Sequence, residues 1–257
     1  MPDELELAIE LADAADAITL PAFESRRFTL DWKADRTEVT EVDRGAEEAI
    51  TERVSTARPD HRFVGEEHGV GGNPDSPWRW IVDPIDGTSG FARGIPVWAT
   101  LLALEHATDG LVVAVVSAPA LGRRWWASRG GGAYAAGQRC TVSTVETLAE
   151  AQVSITFNAG WDRLGRTPAL VAMLGEARRA RGFGDFWQHA LVAEGALDLA
   201  VDAVGVAPYD IAAVRLLVEE AGGRFTDRHG EATHEHDTAI SSNGLLHADV
   251  IRRLAIE

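Results

Sequence analysis

The chain is nearly without cysteine. Cys140 is the only one among 257 residues, so no internal disulfide can form. That usage fits a reducing compartment, and Cys140 reads as a small hydrophobe, since nothing around it marks a reactive thiol. No apolar run approaches the length of a membrane span. The N-terminal stretch Met1-Pro2-Asp3-Glu4-Leu5-Glu6 is acidic and lacks the basic and apolar regions of a secretory signal. These absences predict a cytoplasmic protein with no membrane partner. Basic residues are in the minority: Lys plus Arg is 24, Asp plus Glu is 40, and the formal net charge is -16. Such a surface repels nucleic acid and anionic lipid at long range, so no nucleic-acid partner is expected. The acidity serves solubility first, and a taste for cationic ligands is the second reading. Internal repeats and low-complexity tracts are also missing.

With 46% hydrophobic residues, the chain can bury one large core or two medium ones. Leu7, Leu11, Ala14 and Ile18 have helical spacing over residues 3 to 20, with Pro21 as the expected stop. Ala46, Ile50 and Val54 repeat that spacing over 42 to 57. Strand patterns dominate from 62 to 142: Arg62 to Val64, Trp80 to Val82, and Ala99 to Leu104 joined to Leu111 to Val116 across Asp109-Gly110. Gly69 to Pro77 reads as a loop. The second half alternates strands and helices, with helices expected over 167–181, 187–195 and 210–221. This predicts an N-terminal α+β subdomain over 1–145 and a C-terminal α/β subdomain over 146–257, with a boundary near 143 to 150.

The most informative segment is Trp80-Ile81-Val82-Asp83-Pro84-Ile85-Asp86-Gly87-Thr88. An apolar run ends in two carboxylates three residues apart, followed by a glycine and a hydroxyl. Two anions that close repel unless something positive lies between them. Oxygen donors without a neighbouring Cys or His favour Mg²⁺ over Zn²⁺. A charged surface turn is the plainer alternative. Gly65-Glu66-Glu67 ends another strand, and Asp210 stands in the first turn of a helix, where it could equally be a cap. No Ser or Cys nucleophile pattern competes. His234-Glu235-His236 reads as a solvated loop rather than a metal site.

In this order, four segments (Lys33 to Asp43, Gly65 to Glu67, Trp80 to Phe91 and Pro208 to Ala213) resemble the inositol monophosphatase superfamily of Mg²⁺-dependent, lithium-sensitive phosphatases. The resemblance covers nearly the whole chain. It implies a layered αβαβα sandwich, an α+β or α/β fold with the active site between its halves, and a homodimer. It also implies a ligand set. Glu66, Asp83 and the Ile85 carbonyl would hold one Mg²⁺, and Asp83, Asp86 and Asp210 a second. Glu66 would reach a third. Asp43 and Thr88 would orient or deprotonate the attacking water, and the N–H groups of Gly87 and Thr88 would bind phosphate oxygens.

Within the superfamily, Arg93 to Thr100, Ser117 to Ala120 with Arg123 to Trp126, and Gly184-Asp185-Phe186 before Leu191 to Gly195 resemble the histidinol-phosphate phosphatases. The implied reaction is hydrolysis of L-histidinol phosphate in histidine biosynthesis. That partly cationic substrate would meet Asp185 first and Asp202 second, with Arg93 steering the phosphate. Trp98, Trp125 and Trp126 read as core or interface aromatics. Three positions depart from the family pattern. Gly90 stands where the family has Asn, Tyr209 stands where it has Trp, and the stretch from Asp202 to Asp210 is one residue longer. The alternatives are another small ester (inositol 1-phosphate, a sugar phosphate or a nucleotide-type phosphate, in specialised metabolism) and a non-catalytic interaction protein on the same fold.

Overall fold

The computed structural model describes residues 2–33 and 37–255. By their contacts they form two compact units, divided after Arg129.

The first unit opens with helix α1 (Pro2–Ser25), which runs through Pro21 instead of stopping there. Pro21 forfeits one backbone bond. The helix continues because Ile18, Ala22 and Phe23 pack against a buried cluster of Val42, Ile85, Phe91 and Trp98. A short antiparallel pair follows, β1 (Leu30–Trp32) and β2 (Glu38–Thr40), then α2 (Glu41–Ala57). Residues 34–36, inside the family-like segment from Lys33 to Asp43, lie outside the described residues.

The sheet of this unit is built from β3 (Arg62–Gly65), β4 (Gly69–Gly72), β5 (Trp78–Asp86), β6 (Ala99–His106), β7 (Gly110–Ala118) and β8 (Arg123–Ser128). Its order is β8-β7-β6-β5-β3-β4. The β3–β5 pair is parallel and the others are antiparallel. Leu7, Leu11 and Ala15 of α1 and Ala46, Ile50 and Val54 of α2 lie against Trp80, Val82, Leu102, Leu104, Val113 and Val115. The helical stripes and the alternating strand residues therefore meet in one core. The stretch expected to be a loop after Gly69 contributes β4, whose short Gly-rich strand carries no period-2 signal. Strand β5 also runs further than its apolar residues suggest, through Asp83 to Asp86. Its ladder with β6 is interrupted between those two aspartates, where Pro84 has no N–H to give. Gly87 then turns the chain at φ 86° into the short helix α3 (Thr88–Arg93), a backbone shape suited to glycine.

The second unit begins with a hairpin of β9 (Gly132–Ala135) and β10 (Gln138–Arg139). It continues with β11 (Gln152–Ile155), α4 (Ala159–Arg163), α5 (Thr167–Glu176), β12 (Arg179–Arg181), α6 (Asp185–Ala193), β13 (Leu199–Val201), α7 (Pro208–Glu220), β14 (Arg224–Thr226), β15 (Ile240–Ser242) and α8 (His247–Leu254). The helix expected over 167–181 is therefore shorter. Leu170 and Met173 are its buried contacts, and Arg179 to Arg181 pair as a parallel edge strand with β11. The five-stranded sheet has the order β12-β11-β13-β15-β14. One face, with Val153, Ile155, Leu199, Val201 and Ile240, packs on α4, α5 and α8. The opposite face receives α6 and α7, where Ser154 meets Gln188 and Ser241 meets His189. Each unit is thus a sheet layered with helices, the expected class of fold.

Candidate active site

Helix α2 places the first functional side chain. Thr40 is its N-cap, and its hydroxyl accepts the N–H of Val42 and of Asp43. Asp43 closes the reciprocal half of this capping box: its Oδ2 accepts the Thr40 N–H at 2.9 Å and the Thr40 hydroxyl at 2.6 Å. That fixes the carboxylate and leaves Oδ1 facing Thr88, whose Oγ1 lies 3.0 Å away. The same Thr88 Oγ1 lies 2.8 Å from the Ile85 carbonyl oxygen. One hydroxyl proton cannot serve both acceptors at once. An ionised Asp43 draws it, which leaves the Ile85 carbonyl for another partner. Asp43 is fully buried. Desolvation pushes its carboxyl up to about 6, although the Thr40 and Thr88 hydrogen bonds pull it down.

Around this pair the strand ends gather carboxylates. Asp83 and Asp86 on β5 are both buried. Asp83 Oδ1 accepts the Ile85 N–H at 2.9 Å, which shapes the turn whose Ile85 carbonyl faces Thr88. The Pro84 carbonyl is satisfied by the Thr100 hydroxyl at 2.8 Å. Glu66 follows β3, the parallel neighbour of β5, and its N–H donates to the Val82 carbonyl. Glu66 therefore sits beside Asp83 at adjacent strand ends. Lys33 forms ion pairs with Glu66 at 2.8 Å and Glu67 at 2.6 Å. Burial pulls the other way, yet the two carboxylates hold its ammonium well above the ordinary lysine range. These donors are all hard oxygens, the chemistry that suits Mg²⁺. Thr88 and Gly87 present their backbone at the start of α3.

Arg93 is engaged at 2.8 Å by Glu38 and at 2.9 Å by the Ser89 carbonyl. A Cβ on Gly90 would lie 3.3 Å from the Val97 carbonyl oxygen. The missing side chain thus lets α3 lie close to the following loop. Trp98 and Trp125 are core residues, and Trp98 meets Phe91 edge-on and Phe23 at a tilt.

In the second unit, Asp210 stands in the first turn of α7, where its Oδ2 accepts the Ala207 N–H at 2.7 Å. Tyr209 precedes it as the second residue of the same helix. Asp185 opens α6 with φ 49°, a left-handed conformation uncommon outside glycine. It is open to solvent, yet the protein around it desolvates its carboxyl. That desolvation and the charge of Asp202 push its carboxyl up to about 6, with His189 opposing. Asp202 is buried, and its Oδ2 lies 3.1 Å from His189 Nε2. His189 Nδ1 in turn meets the Ser241 hydroxyl at 2.8 Å. Of the loop histidines, His236 is exposed as expected and pairs with buried Asp227 at 2.8 Å, whereas His234 is buried.

Thr40, Lys33, Glu67 and His189 are partners that the sequence reading did not assign. For Thr40 a signal existed, because Thr and Asp three residues apart before an apolar stripe are a capping-box spacing. For His189 there was none.

The family model "Inositol monophosphatase family" matches residues 2–256. The histidinol-phosphatase of Streptomyces coelicolor is 43% identical, over 97% of this chain and 96% of that one. The histidinol-phosphatase of Mycobacterium tuberculosis is also 43% identical, over 98% of each chain. Among solved structures, the extragenic suppressor protein suhB from Bartonella henselae superposes with a TM-score of 0.90 at 29% identity, covering 98% of each chain. The capped Asp43, its Thr88 partner and the aspartates of β5 thus lie in a chain that belongs to the inositol monophosphatase family.

Proposed function

We propose that the protein is a Mg²⁺-dependent phosphomonoesterase acting on L-histidinol phosphate, releasing L-histidinol and phosphate. The observation that carries the chemistry is the Asp43–Thr88 contact beside the Ile85 carbonyl. Glu66, Asp83 and that carbonyl would hold one Mg²⁺, Asp83, Asp86 and Asp210 a second, and Glu66 would reach a third. Bound there, the ions would neutralise the phosphate dianion, acidify water and stabilise the leaving oxygen.

The chain's own groups do the positioning. Thr88 Oγ1 accepts a water proton as its own proton passes to Asp43 Oδ1, and the resulting hydroxide adds to phosphorus as the P–O ester bond breaks; the departing alkoxide takes a proton from solvent to give the alcohol, and Asp43 returns its proton to solvent. The Gly87 and Thr88 N–H groups hold phosphate oxygens. Asp185 and Asp202 receive the ammonium or imidazolium end of the substrate, and Arg93 attracts the phosphate. The two curated relatives named histidinol-phosphatase support this choice of substrate. The same reading includes a homodimer, a cytoplasmic location and a subdomain boundary near residue 145. Among the described residues no helix is long and apolar enough to cross a membrane.

The test is phosphate release with Mg²⁺ from L-histidinol phosphate, inositol 1-phosphate, a sugar phosphate and a nucleoside monophosphate. A kcat/KM at least about a hundredfold higher for the first, about 3 kcal/mol of discrimination, is expected. A preference for another ester would keep the mechanism and replace the substrate.

A further inference from the structure

Glu47 lies on α2, one turn after Asp43, and is fully buried. A buried carboxylate is expensive to fold around unless its oxygens are satisfied. Here they are satisfied by the turn that follows Glu66. Oε2 accepts the Glu67 N–H at 2.8 Å, and Oε1 accepts the His68 N–H at 2.7 Å. The His68 ring nitrogen Nδ1 lies 3.1 Å from Oε1. On the other side of Glu66 stands Gly65. A Cβ there would lie 2.2 to 2.6 Å from the three carboxylate atoms of Glu47, so only glycine lets the carboxylate slide under the strand end. The Glu66 N–H is already bound to the Val82 carbonyl of β5. The Glu66 backbone is therefore pinned to β5 at its own N–H and to α2 through the next two residues.

We infer that Glu47 is a positioning residue for the cation site: its buried carboxylate sets the direction in which Glu66 presents its own. This rests on the metal reading proposed above. One helix then carries both the proton acceptor Asp43 and the group that aims a ligand, so the two are held at a fixed spacing. Residues that orient ligands in this way typically matter about 10- to 100-fold in metal affinity.

The experiment is Mn²⁺ titration followed by the EPR signal of the free ion, on wild type, Glu47→Gln, His68→Ala and Asp83→Asn, without substrate. Circular dichroism and unfolding midpoints in EDTA check that each is folded. Glu47→Gln keeps the volume but turns an acceptor into a donor facing a backbone N–H. It should bind Mn²⁺ about tenfold more weakly or worse. His68→Ala leaves both backbone bonds and should bind within about twofold of wild type. Should Glu47→Gln not fold, Glu47→Asp, whose carboxylate is one methylene short of the turn, takes its place with the same expectation. A folded Glu47 variant that binds Mn²⁺ as wild type does would overturn the inference while leaving the metal site intact. If Asp83→Asn binds as wild type does, the metal reading fails and the role of Glu47 with it.

Discussion

Asp43→Asn should make the protein more stable and nearly inactive. The Asp43 carboxyl titrates near 6 in the fold against 3.8 when exposed, a difference of about 2 units. At 1.36 kcal/mol per unit, the ionised group costs the fold up to about 3 kcal/mol at neutral pH. An asparagine has no charge to desolvate. Its amide oxygen can take over the Thr40 N–H and hydroxyl, and its NH₂ can donate to Thr88 Oγ1, whose own proton then turns to the Ile85 carbonyl. The net gain should be about 1–3 kcal/mol, and each kcal/mol raises the thermal midpoint by about 2–4 °C in a chain of this size. The sign fixes the pH dependence. Between 3.8 and about 6 the folded wild type binds more protons than the unfolded chain, so its stability falls as pH rises through that window. The advantage of the variant is therefore full above about pH 6, shrinks below it and is gone below 3.8. Unfolding midpoints of both proteins, in EDTA at pH 7.5 and 4.5, measure this difference while other carboxylates cancel. Phosphatase activity should drop about 10²- to 10⁴-fold with the proton acceptor gone. A variant less stable at pH 7.5, or a difference that does not move with pH, would refute the reasoning.

Three further outcomes are expected. Asp185→Ala should raise KM for a cationic ester about tenfold and leave a neutral ester unchanged. The effect should fade below pH 6, where the wild-type carboxyl already carries a proton, and equal KM changes for both esters would remove Asp185 from recognition. His236→Ala should lower the unfolding midpoint at pH 5.5 and not at pH 8.5. Its hydrogen bond to Asp227 raises the imidazole above 6.5, so the stabilisation is complete below 6.5 and lost as pH passes the raised value; paired midpoints at the two pH values decide this. Phe91→Ala removes a fully buried ring in contact with Phe23, Phe28 and Trp98 and should cost about 3–5 kcal/mol, read from denaturant unfolding.

Much of this was legible in the residue order. The stripe Leu7, Leu11 and the alternation in β6 and β7 carry the periods of their elements, and burial follows those periods. The run from Trp80 to Thr88 marked a pair of carboxylates too close to stand without a positive partner, with a charged surface turn as the alternative. The structure buries both Asp83 and Asp86, which sets aside the surface turn. What stayed illegible depends on contacts distant in sequence. Pro21 lies inside a helix because Phe91 and Trp98, about seventy residues later, give the last turn something to pack on. Residues 179–181 look helical until the edge of β11 offers a ladder. Glu47 reads as one more solvated charge on a helix, and only the turn after Glu66 explains its burial. The link from Asp202 through His189 to Ser241 joins three elements that no local pattern connects.

The interruption in β5 bears on how the protein lives without its cation. From Arg79 to Val82 the strand is paired on both edges, with β3 on one side and β6 on the other. Its amides should be among the slowest to exchange with deuterium. Only the stretch between Asp83 and Asp86 leaves the ladder, and that stretch supplies the Ile85 carbonyl. Emptying and refilling the site would then disturb a few residues on a scaffold that stays closed. The stripped protein should keep its exchange-resistant core and recover turnover on cation addition without a slow refolding phase.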